Sequence, residues 1–280
     1  MIRNINNYHS NQTNSISKYA LSNCKSLFDF LNAKSEFKDT FFIIPEDTFF
    51  WISDFEISDL QDFLQIKRYL EKIGELSKAK NIRLISNSSL NINYFNSNRN
   101  KEFRKLSMLG ELFDIMNLSR TFFNEICISF KHCSNNNQVY YADKKDMLHK
   151  FSEKFKLLPQ SVKKRLTVQN NSSKNFFCTK DLFYGVFINT GVPIEFNSIK
   201  HRLHSGGQSE EEAFKLALTT WSSIDMNIDM NIDMDFYSKN SKLRMSDFFL
   251  KKIKNDNYQC INRLTSYSFD SYGNKTLSSY

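Results

Sequence analysis

Glycine and proline are scarce, at 7 and 3 in 280 residues. That excludes collagen-like and proline-rich material and leaves little for a loop-rich fold. The five cysteines, Cys24, Cys127, Cys133, Cys178 and Cys260, are widely spaced and form no CxxC pair. Neither a disulfide framework nor a zinc ribbon is expected, and the thiols read as reduced in an intracellular protein. No apolar run approaches the roughly 18 residues of a membrane span. The opening stretch, MIRNINNYHSNQTNSIS, has no apolar segment of signal type. The expectation is therefore a soluble, cytoplasmic chain with no membrane partner. GxGxxG, GxxxxGK[ST], HExxH and GxSxG are all missing, so no phosphate loop, zincin helix or nucleophile elbow is in view.

Aromatic residues are plentiful at 15%, with 27 Phe, which excludes disorder along the whole chain. Lys and Arg exceed Asp and Glu by 38 to 30, a net charge of +8. A polyanionic partner is favoured, although a basic surface also serves solubility. Short apolar runs that read as buried strands lie at Phe41–Ile44, Ile82–Ile85, Ile126–Phe130, Leu166–Val168 and Val192–Phe196. Between them come stripes of helical period: one from Ser58, with Gln61 completing a capping box, to Lys80; one over Lys101–Asn117; one over Lys144–Phe155. The Asn/Ser-rich residues after Ile85 fall where a strand-to-helix loop belongs. Ser209 and Glu212 form a further capping box before a helix that buries Phe214, Leu216, Ala217 and Trp221. Strand and helix alternate, so the class is α/β with a parallel sheet, and a (β/α)8 barrel is favoured over a doubly wound sheet. Residues 1–20 read as a loose polar arm, 21–265 as the barrel and 266–280 as a polar tail.

Candidates for chemistry are few. His201 and His204, three apart, could share a metal, but a site of that kind needs further Asp, Glu, His or Cys ligands. Cys127 reads as core, and Phe122-Phe123 and Phe248-Phe249 as packing rather than a base-stacking platform. Lys163-Lys164-Arg165 and Lys251-Lys252-Ile253-Lys254 read as solvated helix faces that could touch phosphates. The near-repeat IDMN, IDMN, IDMD over 224–235 could stack three carboxylates, but it lacks the Gly and terminal Glu of a calcium loop. Tandem duplication accounts for it.

Several segments, taken in order, resemble the UV-damage DNA endonuclease family. They are FIIPEDTFFWISDFEISDL from Phe42; Ile73-Gly74-Glu75-Leu76 with Asn81-Ile82-Arg83-Leu84; and Gly110–Met116. Leu158-Pro159 with Lys164–Asn170 then resembles "LP…KKRLTLEND", and Gly191–Asn197 with His201 resembles "GVPIVFDxHH". The resemblance covers residues 23 to 250. It implies a (β/α)8 barrel and an ancestral activity that cuts DNA beside a photolesion, using manganese-like ions held at the C-terminal ends of the strands.

At the family's ligand positions this chain departs. Gln169 stands for a metal-bridging Glu, Asn197 for an Asp and Lys200 for a His, leaving His201 in that loop; Asn87 falls near the family's "HPxQF", and Asn170 lies beside Gln169. Met245 takes the place of another His, next to a kept Ser246-Asp247-Phe248. Neutral amides and an ammonium cannot offset the desolvation of divalent ions. The resemblance therefore implies a degraded site with no metal expected, binding duplex DNA at most; manganese or a similar ion is expected only if the site functions. An active endonuclease would have to use His201, His204 and Asp247. A structural or protein-binding relic is the other alternative.

Overall fold

The computed structural model describes residues 3–33, 41–45, 48–49, 56–91, 101–131, 141–222, 245, 267–269 and 275–277. Five strands, β1 (Phe41–Ile44), β2 (Arg83–Asn91), β3 (Ile126–Lys131), β4 (Leu166–Gln169) and β5 (Ile194–Glu195), form one sheet. They lie in chain order and every neighbouring pair is parallel. A doubly wound sheet reverses its strand order at a switch point; five consecutive parallel neighbours do not, which is the order of a barrel wall. The fold class is α/β, as expected.

The intervening helices are α1 (Arg3–Ala33), α2 (Phe63–Ala79), α3 (Lys101–Ile115), α4 (Tyr141–Phe155), α5 (Gln160–Lys163), α6 (Thr179–Leu182), α7 (Ile188–Thr190), α8 (Ser198–Leu203) and α9 (Glu210–Ser222). Leu84, Ile126, Ile128, Leu166, Val168 and Ile194 fill the sheet, and Ile66, Leu70, Ile73, Leu109, Leu112 and Phe214 bury the helix stripes in the same core. Each such residue stabilises by roughly 1.5–3 kcal/mol on burial. On the last described strand, the Ile194 N–H donates to Thr220 Oγ1 (2.9 Å) and its carbonyl accepts from Trp221 Nε1 (2.8 Å). Helix α9 thus satisfies backbone groups of that strand with side chains.

Four expectations need correction. Residues 3–20 are not a loose arm but the first part of α1, which buries Ala20, Cys24, Leu27 and Leu31 at helical spacing. Its Ser17 hydroxyl accepts the Asp62 N–H (2.8 Å) at the start of α2, so α2 begins at Phe63 and Ser58 does not cap it. Strand β2 runs on through Asn87–Asn91, where a loop was expected, because β3 pairs with it along that whole length whatever the side chain's strand propensity. Arg165 is not on a solvated face but fully buried. The Ser209–Glu212 capping box is present in both directions, at 2.8 and 3.2 Å. Within the segment expected as a tail, β6 (Tyr267–Phe269) and β7 (Lys275–Leu277) pair antiparallel. The repeat at 224–235, Phe248-Phe249, the 251–254 cluster and Asp247 lie outside the described residues.

Candidate functional site

The C-terminal edge of the sheet is built by the residues that end β4 and β5. Gln169 and Glu195 are register partners there. One residue beyond β4 and two beyond β5, the Asn170 side chain continues the ladder that the backbone has stopped making. The Asn197 N–H donates to Asn170 Oδ1 (2.7 Å), and Asn170 Nδ2 donates to the Asn197 carbonyl (3.0 Å). Asn170 is completely buried. The Asn197 side chain in turn accepts the Lys200 N–H (2.9 Å) and caps α8. That turn brings the Lys200 side chain back over β4, where Nζ donates to Gln169 Oε1 at 2.6 Å.

Four of the residues singled out from sequence, Gln169, Asn170, Asn197 and Lys200, are thus brought into one hydrogen-bonded unit. Asn87 is not part of it. It sits on β2, level with Cys127 and Thr167 and separated from β4 by the whole of β3. His201 is buried at 2% exposure, its ring 5.5 Å from that of Phe196 and its Nε2 3.2 Å from the Gln208 carbonyl. His204 follows at the end of α8; burial, and then Lys144, pushes its imidazole below its ordinary pKa. His201 Nδ1, His204 Nδ1 and Gln208 Oε1 are buried without a hydrogen-bond partner, as are Asn171 Oδ1 and Thr179 Oγ1.

A divalent ion needs anionic or imidazole donors. At this edge the positions in question present two neutral amides and an ammonium, which is a donor with no lone pair to give. The ammonium is moreover aimed at the amide oxygen of Gln169. These residues do not fit a metal ion. Among the described residues no three His, Cys, Asp or Glu side chains come together as a metal-binding group.

Glu195, which the sequence places close to the His201/His204 pair, is a carboxylate at this edge. It is buried and accepts the Met245 N–H (2.6 Å). Its position at the end of a strand, beside Gln169 in register, was the signal available. The connections after β4 and β5, residues 170–178 and 196–209, carry Lys174, Lys200 and Arg202 and neither Asp nor Glu. These two connections are therefore basic, beside the buried Glu195 carboxylate, with Arg202 paired outward to Glu210 (2.8 and 3.1 Å).

The family model described as UV-endonuclease UvdE matches residues 2–268. No curated protein matches the chain. Among solved structures, the crystal structure of SacUVDE is similar, with a TM-score of 0.59 and 23% identity over 73% of this chain. The match spans 66% of the SacUVDE chain, just under two thirds of its length. At that identity the likeness is one of fold.

Proposed function

Because this chain belongs to the UV-endonuclease UvdE family, we propose that it engages duplex DNA at the C-terminal edge of its sheet and has lost metal-dependent incision. The observation that carries this reading is the Lys200 Nζ to Gln169 Oε1 bond of 2.6 Å. A fixed positive charge lies where the resemblance puts a ligand for cations. Electrostatic repulsion disfavours a divalent ion beside it, and no incision step is derived through one. The basic connections after β4 and β5 suit phosphate contacts, which position a protein on DNA without reading its sequence. No described helix is long and apolar enough to cross a membrane, and the described cysteines Cys24, Cys127 and Cys178 are free thiols. We place the protein in the cytoplasm, acting on DNA as a member of a repair family that no longer cuts.

The test is paired. UV-irradiated supercoiled plasmid with manganese should stay intact, while duplex DNA should bind in EDTA and release as salt rises. A second reading, an active endonuclease with a reduced site, is favoured by the unpartnered Nδ1 atoms of His201 and His204, with Asp247 as the third member. Lys144 and Lys174, which help push the His204 pKa down, argue against a cation at that point. Lesion-dependent nicking that disappears in His201→Ala would establish the second reading and overturn the first.

A further inference from the structure

We propose that a cleft along α3 binds an alkylammonium group, a cation carried on an apolar stem. None of its lining residues belongs to the C-terminal edge of the sheet. The cleft holds about 450 Å³ and is bounded by α3, by Glu56 ahead of α2, and by Pro159 and Ser161 at the start of α5. That volume is the size of a small-ligand site. Phe103, Arg104, Ser107, Met108, Glu111 and Asp114 form the α3 wall. Their spacing of three and four residues puts them on one face of the helix.

The cations around the cleft are engaged. Arg104 pairs with Glu56 at 2.9 Å. Asp114 takes both Arg120 at 2.7 Å and Arg165 at 2.9 Å. Glu111 has no cationic partner among the described residues. Partial burial, and then Glu56 and Asp114, push its carboxyl above the ordinary 4.5. An incoming cation relieves that like-charge repulsion, whereas a phosphate would add to it. On the α5 side stands Ser161, only 7% exposed, which lines the cleft and whose hydroxyl makes no hydrogen bond among the described residues. The bare Cα of Gly110 leaves room for that hydroxyl, since a Cβ there would lie 2.7 Å from Ser161 Oγ. Buried hydroxyls are nearly always partnered, so this one marks a place for a polar ligand. An ammonium carries three N–H donors, enough for the Glu111 carboxylate and Ser161 Oγ together. Phe103, Met108 and Pro159 supply apolar surface for the methylenes behind it.

The experiment is calorimetric titration of the full chain at constant ionic strength with two probes. One is n-butylamine, for a free amine; the other is Nα-acetyl-lysine amide, for the lysine side chain of a partner. Binding at one site per chain is expected, and the tighter probe identifies which source of ammonium the cleft takes. Glu111→Gln should weaken that binding by about tenfold or more, the loss of a charged hydrogen bond. Ser161→Ala should weaken it by about threefold, the loss of a neutral one. Glu75→Gln, an exposed carboxylate on α2 outside the cleft, should leave it unchanged. Thermal melts verify that each variant is folded. The proposal is overturned if neither amine binds, if n-butanol binds as tightly as n-butylamine, or if Glu111→Gln binds as wild type does. Affinity for DNA does not enter these outcomes, so the DNA-binding reading stands or falls separately.

Discussion

A guanidinium with no solvent exposure must find every partner inside the protein, and Arg165 does. It donates to the carbonyls of Ser119 (2.9 Å), Ser161 (2.8 Å) and Leu118 (2.6 Å) and to Asp114 Oδ1 (2.9 Å), and its plane lies 5.7 Å from the Phe113 ring. Arg165→Met should cost about 3 kcal/mol in urea unfolding, since it strands the carbonyls that Arg165 satisfies and leaves Asp114 with Arg120 alone. Burial alone would raise the Asp114 carboxyl, but hydrogen bonds from Arg120 and Arg165 outweigh it and hold it below its ordinary value of 3.8. A depressed carboxyl stabilises above the unfolded-state value and loses that contribution as pH falls through the folded-state value. The stability gap between wild type and Asp114→Asn should therefore be full at pH 7 and close below about pH 4; parallel acid titrations of the melting temperature measure it. At this scale the sequence was half legible. Lys163-Lys164-Arg165 announced a basic cluster, but only packing turns the third member inward. Gln169 and Lys200 were separately recognisable as departures, whereas the bond between them depends on the α8 turn.

Elements repeat the pattern, with interior glycine as the sharpest case. A Cβ on Gly74 would lie 1.7 Å from the Met116 carbonyl oxygen, so α2 must part from the residues that end α3 to admit one. Gly74→Ala should lose at least the 1–3 kcal/mol of an overpacked core. Gly191→Ala is the control: nothing lies within 4 Å of its Cβ, and only the φ of +72° is strained, so about 1 kcal/mol is expected. Urea midpoints should rank the two accordingly; equal losses would mean that α2 and α3 give way freely. Helical periodicity showed that α2, α3 and α9 exist, and the Ser209–Glu212 cap was legible because all its atoms are local. The cap of α2 was not, since Ser17 reaches it from 45 residues away. Nor was the length of β2, whose Asn and Ser residues are held as strand by their pairing with β3.

For the whole molecule, the proposal of lost incision turns on whether the C-terminal edge of the sheet can hold a divalent ion. Introducing Glu, Asp and His together, as Gln169→Glu/Asn197→Asp/Lys200→His, should let manganese stabilise the fold, by about 2.7 kcal/mol at 100 times Kd, read as a rise in melting temperature. Wild type should show no such rise. A manganese-stabilised wild type would mean that donors outside the described residues complete a site, and would sink the proposal of lost incision. The alternation of strand and helix, the excess of positive charge and the presence of Gln169, Asn197 and Lys200 in otherwise family-like segments were determined by the sequence alone, because each is a property of residue type and spacing. Which of those residues touch was decided only by the tertiary structure. The register of β4 on β5 and the turn of α8 bring an ammonium and an amide 31 residues apart to 2.6 Å, and no local pattern encodes a contact made by two strands and the loops that leave them.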